Sequence, residues 1–110
     1  TYSEYFEECM TFGRSLLELG CHRNAVNIIG FNAPEWCISF FGSLFAQCLP
    51  VGIYTTNTLQ ACHYIAEHSE CAVVVADDHD QVQKYIPLLK KNIIKYIVIF
   101  NVESINYDTL

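Results

Sequence analysis

Residues 32–58 read NAPEWCISFFGSLFAQCLPVGIYTTNT, and from Trp36 to Ala66 the chain carries no Asp, Glu, Lys or Arg. Such a run is either a membrane span or a buried helix leading into a buried strand, and the choice sets the fold. A spanning helix needs about 20 apolar residues in one helical run. Here the run from Trp36 stops at Pro50 and already contains Ser39, Ser43 and Gln47. Beyond Pro50 the sequence becomes β-type and then polar, ending in "TTNT". The stretch therefore predicts a core helix followed by a strand. Its lack of charge predicts that the helix is covered on several sides, partly by material outside this chain.

The flanking sequence repeats one device. A small polar residue is followed three positions later by Glu or Gln at Thr1/Glu4, Asn32/Glu35, Asn57/Gln60 and Asp78/Gln81. Each pair precedes an apolar-periodic run, the pattern in which both side chains satisfy amides left unbonded at a helix start. Four helices are expected. The first should carry Tyr2, Phe6, Cys9, Met10, Gly13, Leu16 and Leu17 on one face, with Gly20 as its left-handed cap. The third should run from about Thr58 to His68, and the fourth should be irregular at Pro87. Between them lie the apolar runs "AVNIIGF", "PVGIYT", "CAVVVA" and "KYIVIF". Continuous apolar strands alternating with helices predict an α/β fold whose mostly parallel sheet is covered on both faces. Residues 1–100 are expected to form this unit, and residues 101–110 a polar segment leaving the sheet.

The chain has 110 residues, 52% of them hydrophobic and 16% charged. A small domain exposes much of its surface and normally carries more charge. This balance predicts an excerpt of a larger domain, and a first residue other than Met fits that expectation. The net charge of −6 argues against a nucleic-acid partner, which calls for a basic patch. Lys84, Lys90, Lys91 and Lys95 are the only basic cluster, sparse enough to be a solvated helix face. The six cysteines sit mostly among apolar residues with no CxxC pair, so free thiols in a reducing setting are expected. Thr1 to Gly20 is acidic and amphipathic, unlike a signal peptide.

Few stretches suggest chemistry. The dinucleotide fingerprint GxGxxG and the Walker loop are absent, and Gly42-Ser43 falls inside a predicted helix and not in a GxSxG elbow. "DDHD" (Asp77 to Asp80) follows the third strand, where open α/β sheets bind ligands. It reads as helix capping with Asp78 in place of a metal cluster. Cys62, His68 and Cys71 come nearest to a zinc set but straddle a helix end and match no finger or ribbon. No metal site is expected. "GIYTTNT" runs from a strand end into a helix start, where amides and the hydroxyls of Thr55, Thr56 and Thr58 could receive an anion. Plain turn and cap chemistry is the simpler reading of these residues.

"TYSEYFEECMTFGRSLLELG", "VNIIGFNAPEWCISFFGSLFAQCLPVGIYTTNT" and "YIAEHSECAVVVADD" resemble, in that order, the N-terminal portion of AMP-forming acyl-CoA synthetases. "GFNAPEW" with "VGIYTTN" is most similar to the bubblegum-type long-chain fatty-acyl-CoA synthetases. The resemblance implies a parent ligase that uses ATP, Mg²⁺ and coenzyme A. A fatty-acid carboxylate would attack the α-phosphate of ATP, and CoA thiolate would then displace AMP from the acyl-adenylate. It also implies a cytoplasmic setting, with endoplasmic-reticulum membrane association as an option. The family's Ser/Thr/Gly-rich loop ending in Pro-Lys-Gly has no counterpart here, nor do its "YG.TE"-type motif, its ribose-binding aspartate and its catalytic lysine. No catalytic residue is therefore carried over, and the segment alone is expected to be an inactive scaffold. In acetate-activating relatives the CoA nucleotide lies near the turn after the "VGIY"-type strand and the loop after the "VVVADD"-type strand. By that resemblance Thr55, Thr56 and Lys84 are the CoA-side candidates, Lys84 standing where those relatives carry arginines. Alternative expectations are a truncated or spliced interaction module, a stand-alone flavodoxin-like binding domain, or a membrane protein.

Overall fold

The computed structural model describes residues 1–30 and 33–109. Helix α1 (Tyr2–Glu18) starts where Thr1 Oγ1 accepts from the Glu4 amide at 3.2 Å, as the first capping pair predicts. It ends in a Schellman turn: Cys21 N–H reaches Leu16 O, Gly20 N–H reaches Leu17 O, and Gly20 takes φ +78°. Strand β1 (Ala25–Ile29) follows, then helix α2 (Pro34–Phe45). Asn32 lies outside the described residues. The α2 N-cap is Ala33, with no side-chain cap bond, and Pro34 opens the helix with its preset φ. α2 has 12 residues, about 18 Å of helix, and no helix among the described residues is long and apolar enough to cross a membrane. Its buried Ser39 and Ser43 donate to the carbonyls of Glu35 and Ser39 one turn back, which is how polar groups persist in an apolar helix.

Strand β2 is Leu49–Ile53, and helix α3 is Leu59–Ser69. The α3 cap is Thr58, whose hydroxyl accepts from the Ala61 amide, and not the expected Asn57/Gln60 pair. Asn57 N–H is bonded to Tyr54 O within the preceding turn, so it is not free for the reciprocal bond from the Gln60 side chain. Strand β3 (Cys71–Ala76) matches the "CAVVVA" run, and helix α4 (His79–Lys90) is capped by Asp78. Helix α4 continues through Pro87 to Lys90, so the proline does not end it. Pro87 removes the hydrogen bond to the carbonyl of Gln83, and Gln83 is an exposed residue, which puts that end of the lost bond on the solvent side of the helix. Strand β4 (Tyr96–Ile99) leads into two short 3-10 turns, Val102–Ser104 and Tyr107–Thr109. These fold back onto His79. Asn106 N–H donates to its Nδ1, which fixes the proton on Nε2, 3.0 Å from Thr109 Oγ1.

The sheet is wholly parallel, in the order β2-β1-β3-β4. The chain steps from β1 outward to β2, then crosses back past β1 to β3. Right-handed crossovers with reversed direction put α2 on one face and α3 and α4 on the other. The pleat divides the core accordingly. Val26, Ile28, Val73 and Val75 pack toward α1 and α2, while Ala25, Ile29, Val74 and Ala76 pack toward α3 and α4. The two central strands are buried at every residue, and Pro50 sits on an edge strand, where its missing N–H breaks no ladder.

α1 and α2 meet through glycines. A Cβ on Gly13 would stand 2.8 Å from Gly42 O, and one on Gly42 would stand 2.8 Å from Cys9 O. Only part of the expected α1 face is buried at this contact. Cys9, Gly13 and Leu16 are buried, with Phe12 against them, whereas Tyr2 is 91% and Phe6 53% exposed. Tyr2, Phe6, Phe41, Leu44 and Phe45 leave an apolar surface on this helix pair, with edge-to-face contacts between Tyr5 and Phe41 and between Phe6 and Phe45. No disulfide links the six cysteines, and all but Cys37 are buried. Cys48 Sγ reaches Cys21 O at 3.1 Å and His22 Nδ1 reaches Ala46 O at 3.1 Å, tying together the loops at the amino ends of β1 and β2. Burial pushes the Cys71 thiol up to about 11 and moves the Tyr85 phenol upward as well, with Cys62 adding to the latter.

Candidate functional site

Open α/β sheets bind ligands outside the carboxyl ends of their strands, beside the point where strand order reverses. Here that point lies between β1 and β3, and it is filled. A Cβ on Gly30 would meet Phe100 Cζ at 2.8 Å and Asp77 Cβ at 2.9 Å. Asp77 N–H bonds to Ile29 O and its carbonyl takes Asn101 N–H, so backbone bonds close the crevice. The opening lies on the other side of β1. A cleft of about 560 Å³ is lined by Gly30, Trp36, Gly52, Ile53, Tyr54, Thr55 and Thr56.

Two features of the local sequence shape this cleft. Gly52 lets the Trp36 ring lie against β2, since a Cβ there would come within 3.1 Å of Trp36 Cζ2. Trp36 in turn stacks on Phe40 one helical turn later, with ring centroids 5.6 Å apart and planes 13° from parallel. The other wall is the turn from β2 into α3, which carries Tyr54, Thr55 and Thr56 to the rim. Thr58 lies past the rim, its oxygen engaged in the α3 cap.

Of the residues singled out in the sequence, Thr55, Thr56 and Lys84 come together. Lys84 reaches over from α4, and its Nζ donates to Thr55 O at 2.9 Å and to Asn57 O at 3.0 Å. At least two of the three ammonium donors are thus spent on backbone carbonyls of the turn. On the adjacent helix, His63 Nε2 contacts Lys84 O at 2.5 Å. A carbonyl only accepts, so Nε2 carries the proton and His63 is the donor. The "DDHD" stretch is spent on structure: Asp78 caps α4 and His79 holds the 3-10 segment. Among the described residues no group of three His, Cys, Asp or Glu side chains could hold a metal ion.

Sequence reasoning did not pick out Trp36, Gly52 and Tyr54 as cleft residues, or His63 as the partner of Lys84. Trp36 and Gly52 do stand inside the quoted motifs "NAPEW" and "PVGIY". A glycine in a strand beside a helical tryptophan is the signal for a close approach of ring to backbone.

Comparisons with known proteins agree in direction. Residues 1–108 match the model of the AMP-binding enzyme family. A long-chain-fatty-acid–CoA ligase ACSBG2 from Rattus norvegicus is 36% identical over 112 positions, covering 99% of this chain and 17% of that protein. Its Gallus gallus counterpart is 45% identical over 82 positions, covering 74% of this chain and 11% of that protein. The fold is shared with the anthranilate CoA ligase AuaEII solved with anthranoyl-AMP, at TM-score 0.82 and 23% identity over 93% of this chain and 20% of the other. It is also shared with a long-chain-fatty-acid-CoA ligase (FadD1) from Archaeoglobus fulgidus, at TM-score 0.79 and 16% identity over 91% of this chain and 20% of the other. The chain spans between 11% and 17% of the length of these two curated relatives.

Proposed function

This chain belongs to the AMP-binding enzyme family, and from that premise we propose that it is part of the N-terminal domain of a long-chain fatty acid–CoA ligase. The observation that carries the reading is the alignment of 99% of the chain, at 36% identity, with one such ligase. In the proposed reaction a fatty-acid carboxylate oxygen bonds to the α-phosphorus of ATP and pyrophosphate leaves. The CoA sulfur, having lost its proton, then bonds to the acyl carbon and AMP leaves. Mg²⁺ would offset phosphate charge when bound. The described residues offer no cluster fitted to hold it, so no step is assigned to them through the metal.

The role proposed for this segment is architectural. Residues 1–100 are proposed to form a parallel layer that supports loops supplied elsewhere in the ligase, with the segment after β4 packed back against the start of α4. Thr55, Thr56 and Lys84 are proposed to form the side that faces CoA. The rim hydroxyls and turn amides of the cleft suit a polar, phosphate-bearing ligand, and the two aromatic rings suit a flat one. A cytoplasmic enzyme associated with the endoplasmic-reticulum membrane completes the proposal.

The test uses the intact ligase that carries this segment and the 110-residue chain side by side. The intact protein should release AMP dependent on ATP, a long-chain fatty acid and CoA, one AMP per acyl-CoA formed. The 110-residue chain should release none. An intact protein without fatty-acid-dependent AMP release would end the ligase reading, and activity in the short chain would end the scaffold reading.

A further inference from the structure

We propose that Lys84 is a positioning residue that sets the shape of the β2–α3 turn from behind, and does not itself touch the ligand of the cleft. The proposal rests on the CoA-facing reading of that cleft. It deepens that reading by replacing direct phosphate pairing with control of the turn. Both contacts of the ammonium are to backbone carbonyls, Thr55 O and Asn57 O, two residues apart in one turn. A donor bridging those carbonyls fixes the peptide planes between them. Those planes orient the amides and the Thr55 and Thr56 side chains at the rim. With its carbonyls turned inward to Lys84, the turn can direct amides outward to the cleft.

The clamp has its own anchor. His63 donates to the carbonyl of Lys84, so α3 and α4 are tied at the residue that holds the turn. Lys84 is half-buried. Charge-assisted bonds in such a place are stronger than those at an open surface. The ammonium also puts positive charge directly behind the amide-bearing side of the turn, reinforcing its preference for an anion without contact. A lysine serving a phosphate directly would keep its donors for that phosphate, whereas at least two of these are already committed.

The experiment uses the intact ligase with Lys84→Met, which keeps the stem and removes the donors, and Lys84→Arg, which keeps charge and donors. Two quantities are read: amide exchange of residues 54–58, and KM and kcat with CoA varied. If the released turn holds its bound shape about one tenth of the time, apparent CoA affinity weakens about tenfold. Lys84→Met is therefore expected to speed exchange in the turn and raise the KM for CoA about tenfold, with kcat changed less than twofold. Lys84→Arg should restore most of both. A raised KM for CoA with unchanged turn exchange would mean direct contact and overturn the proposal, as would unchanged values of both. Faster turn exchange with an unmoved KM would uphold the clamp and instead remove the CoA reading of the cleft. If Lys84→Met does not fold, His63→Leu breaks the anchor and should loosen the same amides; unchanged exchange there would overturn the proposal.

Discussion

The sharpest structural prediction concerns Gly42→Ala. Helix propensity alone favours alanine over glycine by about 1 kcal/mol, so a solvent-facing site would be stabilised. At Gly42 the new methyl would lie 2.7 Å from Phe12 Cδ1 and 2.8 Å from Cys9 O. The Phe12 ring can swing aside, but the Cys9 carbonyl is backbone within α1 and moves only with the helix. Separating α1 from α2 by about half an ångström loses dispersion across the whole seam. Overpacking of this kind costs about 1–3 kcal/mol, so the net expectation is a loss of about 1 kcal/mol after the propensity gain. Gly13→Ala meets Gly42 O at 2.8 Å and should behave alike. Both methyls demand the same helix separation while each brings its own propensity gain, so the double variant should cost no more than either single one, a coupling of about 2 kcal/mol. The assay is urea unfolding followed by the fluorescence of Trp36, the single tryptophan, which sits on α2 itself. A Gly42→Ala protein at or above the wild-type midpoint would refute the close contact, and strict additivity would refute the shared separation.

Two further outcomes follow from backbone and burial. Gln47 and Asn92 stand at φ +60° just past α2 and α4, where glycine is unstrained, so Gln47→Gly should raise stability by about 0.5–1 kcal/mol in the same unfolding assay. A lowered midpoint would contradict it. The Cys71 thiol is raised from 9.0 to about 11 by burial, so between those pH values the folded chain keeps a proton that the unfolded chain has lost. Stability is then full below pH 9 and falls by roughly 2–3 kcal/mol as pH rises through 11, with Tyr85 extending the fall upward. A flat urea midpoint from pH 8 to 11, or a slope unaltered by Cys71→Ala, would rule this out.

Local chemistry was legible where it was self-contained. Thr1 and Asp78 cap their helices, Gly20 takes the left-handed turn, and "CAVVVA" is a strand from its first residue to its last. It misled where a neighbour decided the outcome. Asn57 looked like a cap because Gln60 follows it, but the turn had already claimed its amide. Tyr2 and Phe6 share a face with Cys9 and Gly13 in sequence, but only the structure shows that the seam between α1 and α2 runs through Gly13, whose lack of a side chain allows the approach, and leaves Tyr2 and Phe6 exposed. Of the candidate site residues, Thr55 and Thr56 could be placed on the turn from sequence. The direction of the Lys84 ammonium could not.

The sequence by itself determined the alternation of strands and helices, the parallel sheet and the family. Those follow from periodicity, capping and motif order, which act over a few residues at a time. Tertiary structure alone decided that β1 lies between β2 and β3, that the crevice beside β3 is filled and the one beside β2 open, and that Lys84 meets a turn nearly thirty residues earlier in the chain. The physical reason is the crossover. A parallel connection of fixed hand permits a step to either side of the sheet, and the side taken determines which helices become neighbours.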